Sequence, residues 1–392
     1  MASTTAYMAE KNVMTGEKRT ASLIIIGGGV VACATAYNLA KRGMNDIIVL
    51  EKKEIGNGGS CRNAGGVRQS ARDVRELPLA MYAVSNIWPT LGEELDVDVE
   101  YVRRGNIRMG KTEAHLKKLQ TLTDNSRAVG LDVEMISGDQ AREICPYMSE
   151  EVIGASWCPT DGHANPLHTT LGFYRKALEM GVTFVTGVEV KGIRKYRGRA
   201  RFVDTDDGVY EGEQILLCAG WNSREIADSV GIELPIIREF SECLVTEMEP
   251  DMFPVMLGCA DSDFYGGQTK HGSFVMGGNS GIEPYTSEKE RFETNSLTAP
   301  SLCRGIIRYF PSLKEIKVIR TWAGWYDVCA DHVPVIDTID EVPGLVIAAG
   351  FCGHGFGISP AVGLAVSELV MDGKSTTIDI SGLAYDRFRA KA

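Results

Sequence analysis

The chain has 392 residues, too many for one simple core, so two domains are expected. With 44% hydrophobic and 24% charged residues, it is neither fibrous nor of low complexity. A formal net charge of −11 excludes nucleic acid as a partner, because a phosphate backbone needs a basic face.

Residues 1–20 are polar and of mixed charge, with Glu10 and Glu17, and read as a flexible tail. From Ser22 to Ala40 no residue is charged, a stretch long enough to span a bilayer. Gly27-Gly28-Gly29 and the polar Thr35, Tyr37 and Asn38 break it, so strand, turn and helix are predicted and no membrane span. The strand is Leu23-Ile24-Ile25-Ile26 and the helix starts near Val30. A second apolar run, Ile47-Ile48-Val49-Leu50, ends at Glu51. Gly27-x-Gly29-x-x-Ala32 with an acid after the second strand is a dinucleotide fingerprint. Gly27 permits the turn, Gly29 lets the backbone approach a pyrophosphate, Ala32 lets helix and strand pack, and Glu51 can hydrogen-bond a ribose hydroxyl. The fingerprint leaves NAD and FAD open. Its bland alternative is a Gly-rich turn in an ordinary βαβ unit.

The Met and aromatic residues at 81–88 read as core. Residues 112–129 form a helix with charge on one face, and 168–180 form another that stops at Gly181. A short strand at 182–185 leads through Gly187 to Val188-Glu189-Val190. Gln214-Ile215-Leu216-Leu217 is a buried strand running into Ala219-Gly220. The run 344–350 repeats that pattern and continues through 353–357 into a helix at 360–371. Three separated strand–glycine segments thus converge on one α/β nucleotide-binding sheet, with a second domain inserted in pieces at 81–144 and 226–319. Ten cysteines without a Cys-x-x-Cys pair or metal-ligand spacing indicate reduced thiols, no metal centre and a cytoplasmic setting.

Several longer motifs carry a resemblance. They are Ser60-Cys61-Arg62-Asn63-Ala64-Gly65-Gly66-Val67-Arg68, Trp322-Ala323-Gly324-Trp325-Tyr326-Asp327 with Asp331-His332-x-Pro334, and Ala349-Gly350-Phe351-Cys352-Gly353-His354-Gly355-Phe356. With Thr377-Ile378-Asp379-Ile380 and Arg387-Phe388, they resemble the D-amino-acid oxidase superfamily of FAD enzymes from about Ser22 to Phe388. The nearest type is sarcosine oxidase: the monomeric enzyme, the β subunit of the heterotetrameric one, and flavoprotein subunits of hydrogen cyanide synthase, opine oxidase and proline dehydrogenase complexes.

The resemblance implies a Rossmann-like FAD-binding domain (21–80, 145–225 and 320–392) and an inserted α+β substrate domain on a mixed or antiparallel sheet. FAD would lie on Gly27, Gly29, Val30, Val31 and Ala32, with its ribose on Glu51 beside Lys52. The Val190 backbone would face the adenine, and Ala219-Gly220 the pyrophosphate. Ser60, Arg62, Asn63, Ala64, Gly65 and Gly66 would wrap the ribityl–flavin edge, with Gly324 and Asp331 nearby. Gly353, His354, Gly355, Phe356 and Gly357 would offer N–H groups to the flavin pyrimidine oxygen. Arg68, Tyr265, Tyr326 and His354 would be the reaction-site residues. The implied reaction passes a hydride from the carbon beside an amine nitrogen to flavin N5, and the imine hydrolyses. The implied substrate is a secondary or N-substituted amino acid such as sarcosine, proline or an opine.

Departures from the relatives sharpen these expectations. Gly324 stands where monomeric sarcosine oxidase tethers its flavin through cysteine, so noncovalent FAD is expected. Pro166 stands where the heterotetrameric enzyme carries covalent FMN on histidine, with His163 and His168 nearby, leaving FMN at a subunit interface open. The strand Ser273-Phe274-Val275-Met276-Gly277 lacks the oxygen-activating lysine, and Lys270 and His271 precede it. That favours a dehydrogenase delivering electrons to a second flavoprotein or ferredoxin-like subunit over an oxidase using O2. Two carboxylate-binding positions of relatives are Gly357 and Tyr326 here, which leaves Arg68 as the best carboxylate ligand. Arg320 is a further candidate, while Arg104 and Arg108 read as salt-bridge residues. His332 reads as a loop-satisfying histidine. A second class of function is a noncatalytic FAD subunit for electron relay or assembly.

Overall fold

The computed structural model describes residues 19–261, 264–278, 294 and 297–389. The tail expected over 1–20 lies outside the described residues as far as residue 18. A mixed α/β architecture rests on two eight-stranded sheets. In the first, the strand order is Val335–Thr338, Leu345–Ala349, Gly208–Leu217, Thr20–Ile26, Ile47–Glu51 and Thr183–Thr186. Arg199–Thr205 branches from Gly208–Leu217 and carries Val190–Tyr196. Four of the five pairings along this order are parallel, the exception being Val335–Thr338 with Leu345–Ala349. Parallel strands are covered on both faces, which is why Leu23 to Ile26, Ile47 to Leu50 and Ile215 to Leu217 are unbroken apolar runs, all buried. The three strand–glycine segments therefore do meet on one sheet.

The uncharged stretch after Ser22 is a strand, a turn and the helix Val30–Lys41. That helix packs against Pro166–Glu179 and Gly355–Asp372. Gly355–Asp372 is long and apolar enough to cross a membrane, but 78% of its apolar window is buried inside the fold. Its internal Pro360 cannot donate to the Phe356 carbonyl. The Ser359 hydroxyl does so instead, at 2.8 Å. The helix predicted at 112–129 spans Glu113–Ala128, with Thr112 accepting from the His115 N–H as its cap. The one predicted at 168–180 begins earlier, at Pro166, behind the Asn165 cap. Within 81–88, Trp88 is core, stacked on Tyr101 and edge-on to Phe356.

The second sheet runs Val318–Cys329, Ile236–Met248, Ser273–Gly278, Tyr265–Gln268, Met256–Cys259, Asn106–Gly110, Gly154–Cys158 and Glu134–Ser137. It is mixed: only the Asn106–Gly110 and Met256–Cys259 pairing is parallel. Gly154–Cys158 and most of Val318–Cys329 belong to this sheet although they lie outside 81–144 and 226–319. The long ladder between Ile236–Met248 and Val318–Cys329 runs from Ile236↔Cys329 to Thr246↔Val318. It brings the second sheet to the seam with the first, where Val328 bridges Phe351.

Candidate active site

A cavity of about 670 Å³ runs from Glu51 and Val190 on the first sheet to Tyr265 and Arg108 on the second. Its first end is walled by backbone. Gly27 sits at φ +107°, and a Cβ there would lie 2.5 Å from the Cys218 carbonyl. The next residue is just as crowded, since a Cβ on Gly28 would meet the Glu51 side chain at 2.8 Å. The Glu51 carboxylate accepts from Gly28 N at 2.7 Å and Lys53 N at 2.8 Å, which fixes its position at the strand end. Helix Val30–Lys41 has no cap of its own and no acidic residue in its first turn. The Ser60 hydroxyl, from thirty residues away, accepts from Val30 N at 2.9 Å. The positive end of the helix and its remaining N–H groups face the cavity, as an anion site requires.

The other end is walled by charge. Arg68 donates through Nη1 to the Ser70 and Ala71 carbonyls, at 2.7 and 3.2 Å. Burial and the nearby Arg108 and Arg72 charges push its guanidinium down to about 9, so it remains cationic at neutral pH. Behind it lies fully buried Asp161, which accepts from Gln69 N at 2.6 Å, Ser70 Oγ at 2.5 Å and Asn106 Nδ2 at 3.3 Å. Tyr265 faces the cavity from the second sheet, and burial pushes its phenol well up, keeping it a proton donor. Tyr326 lines the wall with its ring, but its hydroxyl donates to Glu239 at 2.8 Å.

His354 is held from behind. Arg72 Nη2 donates to its carbonyl at 3.0 Å, and its Nδ1 lies 3.2 Å from Arg72 Nη1 and 3.1 Å from Glu76 Oε2. Arg72 and Glu76 form a fully buried ion pair at 3.0 Å. Burial pushes the imidazole down and Glu76 pulls it back up. Asp327 ties the glycine-rich loop to the second sheet, its Oδ2 accepting from Gly350 N at 2.6 Å and Phe351 N at 3.1 Å.

Residues 22–369 match the family described as "DAO: FAD dependent oxidoreductase". The chain belongs to this family. It is 27% identical over 379 residues to the sarcosine oxidase β subunit of Arthrobacter sp, covering 95% of this chain and 92% of that one. To an opine oxidase subunit of Rhizobium meliloti it is 24% identical, covering 94% and 98%. L-proline dehydrogenase of P. horikoshii superposes with a TM-score of 0.86 and 29% identity, covering 95% and 98%. The chain is thus an FAD-dependent amino-acid oxidoreductase of the DAO family.

The residues present fit FAD. The wall at Gly27 to Gly29 admits no side chain, only a ligand that approaches backbone, and Glu51 is held at the strand end where a ribose hydroxyl would reach it. Every residue expected to touch FAD lines the cavity except Ala32, Ala64, Gly65, Asp331 and Gly357. Ala32 is fully buried between helix and sheet, the packing role expected of it. Ala64 and Gly65 turn the chain, with Asn63 Oδ1 accepting from Gly65 N at 2.9 Å. Gly357 is small because strand residue Gly66 passes close, its carbonyl 2.8 Å from where a Cβ would be. Asp331 is taken up by Arg75 at 2.7 Å and Arg387 at 2.9 Å.

Two arginine assignments divide. Arg104 is an exposed partner of Asp251 at 3.8 Å, as expected. Arg108, expected to be another salt-bridge residue, instead lines the cavity with no ion-pair partner among the described residues, and its buried Nε has no acceptor. Arg320 is absent from the cavity wall, and His332 is an exposed loop residue whose N–H meets the Cys329 carbonyl. Sequence reasoning passed over Glu76, Arg72 and Asp161. The four-residue spacing of Arg72 and Glu76 beside an apolar helix was a readable signal. Nothing local connects Asp161 to Ser70.

Proposed function

We propose that this oxidoreductase oxidises the C–N bond of a secondary or N-substituted amino acid, as the flavoprotein subunit of a heteromeric dehydrogenase. The observation that carries the reading is the cavity-facing guanidinium of Arg68 beside the buried phenol of Tyr265. A guanidinium with free N–H groups suits a carboxylate, and a protonated phenol next to it suits the neighbouring polar group. Arg68 is anchored through Nη1, so its remaining N–H groups are pre-aimed. Bound FAD supplies the oxidising equivalents by accepting a hydride. The N–H groups at the start of Gly355–Asp372, where no acidic residue intervenes, favour negative charge developing beside them. His354, braced by Arg72 and Glu76, keeps that loop in place.

Sarcosine, opines and L-proline, in the relatives' names, are all secondary amines with a carboxylate. Two of those names are names of subunits, which supports a heteromer and a partner that collects electrons. The strand Ser273–Gly278 carries no lysine, and Lys270 is paired with Asp98 away from the cavity. This supports a dehydrogenase over an oxidase. All ten cysteines are free thiols, which suits a cytoplasmic setting. In this reading the first sheet carries FAD and the second presents the substrate.

The test is anaerobic mixing of the yellow protein with sarcosine, proline, an N-carboxyalkyl amino acid and primary amino acids. Secondary amino acids should bleach the flavin band at about 450 nm. The reduced protein should then react faster with an artificial electron acceptor than with O2. If no amine bleaches the flavin, the reading fails, and an FAD relay or assembly role takes its place.

A further inference from the structure

Arg108, Gly258, Tyr265 and Gly277 are register partners on four successive strands of the second sheet. Register partners point to the same face, and Arg108, Gly258 and Tyr265 all line the cavity. Neighbouring strands lie about 4.8 Å apart, so the Arg108 and Tyr265 backbones are roughly 10 Å apart across Gly258. Gly258, without a side chain, leaves this interval to the side chain of Arg108. A side chain there would meet Arg108 Cγ at 3.4 Å and Nε at 3.8 Å. The row is therefore a slot between Tyr265 and the Arg108 strand, crossed over Gly258 by the Arg108 side chain, in a cavity that Arg68 also lines.

Donor counting shows what the slot lacks. A guanidinium carries five N–H groups. Arg68 spends its Nη1 on two carbonyls, and Arg108 has no hydrogen-bond acceptor among the described residues. With the Arg108 Nε itself buried, about seven N–H groups are thus left for one cavity, while a single carboxylate offers only about four lone-pair sites. Charge points the same way. Glu76 is committed to Arg72, and Asp161 is committed to the 69–70 backbone and Asn106. Neither forms an ion pair with Arg68 or Arg108.

We propose that the substrate is a secondary amine bearing two carboxylates, one on each side of the nitrogen, with Arg68 taking one and Arg108 the other. The proposal rests on the amine-oxidation reading above and narrows it to N-carboxyalkyl amino acids. The C–H bond beside nitrogen breaks and its electron pair passes to FAD, while nitrogen loses its proton and a C=N bond forms. Water then adds to that carbon and the C–N bond breaks, leaving a primary amino acid and an oxo acid.

The experiment compares matched ligands on the FAD-loaded protein: N-(carboxymethyl)alanine, its monoamide at the carboxymethyl end, and N-methylalanine. Anaerobic reduction should show an apparent Kd for the diacid roughly tenfold to hundredfold below that of the monoamide. In Arg108→Gln the diacid advantage should shrink to within about threefold, and Arg108→Lys should recover part of it. Equal constants in the unaltered protein would mean that both arginines clamp one carboxylate, which overturns the proposal. So would a diacid advantage that survives Arg108→Gln in protein with a full flavin complement. If no amine reduces the flavin, only the underlying reading fails, and redox-inert ethers decide this one. Oxydiacetate should then perturb the flavin spectrum at a concentration at least tenfold below its monoamide, and equal titrations overturn the proposal.

Discussion

At the Glu51 end the cavity wall is built around the bare backbone of Gly27 to Gly29, where no side chain fits; at the Tyr265 end the wall is buried charge brought in from distant parts of the chain. The first end is set by local chain geometry, and a Cβ on Gly27 or Gly28 collides with neighbouring atoms at once. The second end depends on strand register and on ion pairs such as Arg72 with Glu76, whose partners come from the loop after Arg68 and from the His354 turn. The first kind of wall suits a ligand shared by many proteins. The second is where a substrate can be distinguished.

The largest break should come from Gly27→Val. A β-branched residue at φ +107° costs about 1–3 kcal/mol in backbone strain, and overlap with the Cys218 carbonyl costs at least as much again. Protein that still folds should be colourless, so the ratio of visible to ultraviolet absorbance is the measurement. A yellow Gly27→Val protein would show that the backbone end does not control FAD binding.

Glu76→Gln tests the charged end, with a smaller effect on stability of about 2–3 kcal/mol, because the amide oxygen can still accept from Arg72. Burial raises the Glu76 carboxyl, but His354, Arg72 and Arg68 outweigh it and hold it below the usual range. A depressed folded value means the stabilisation is present above about pH 4.5 and fades as pH falls through that lower value. The stability gap to Glu76→Gln should therefore narrow in acid. Without Glu76 the His354 imidazole should titrate lower still, and any acid limb in the pH profile of flavin reduction should move down with it. An unmoved limb would assign Glu76 a packing role only.

The sequence made the backbone end readable because its rules are local. Strand, turn, helix and acid are close in the chain, and Gly27, Gly29 and Glu51 stand where the fingerprint places them. The strands ending at Leu217 and Ala349 were readable as apolar runs into glycine, and both join the predicted sheet. The charged end was only half legible. Arg68 follows a recognisable motif, but Arg108 faces the cavity because Asn106–Gly110 pairs with Met256–Cys259, about 150 residues away in sequence. No local pattern encodes that register. Asp331 misled for the opposite reason: it lies in a recognisable motif, yet two arginines claim its carboxylate before any cofactor can.

Asp331→Asn turns that last point into the smallest expected effect. Burial raises the Asp331 carboxyl, but hydrogen bonds from Arg387 and Arg75 prevail and hold it at about 2. Against an ordinary value of about 3.9, and discounted for partial exposure, the pairing is worth about 1–2 kcal/mol. The depressed folded value makes this stabilisation complete above about pH 4, and it is lost as pH falls towards 2. Urea midpoints should therefore differ between Asp331→Asn and the unaltered protein at pH 7 and converge as the buffer is taken below pH 4. Arg387 also holds the Val333 and Pro334 carbonyls, at 2.6 and 3.0 Å, so the loop should keep its path in the variant. FAD content should then stay the same at neutral pH, because Asp331 is not on the cavity wall. Loss of flavin with unchanged stability would put Asp331 back among the cofactor residues and move the boundary between the two kinds of wall.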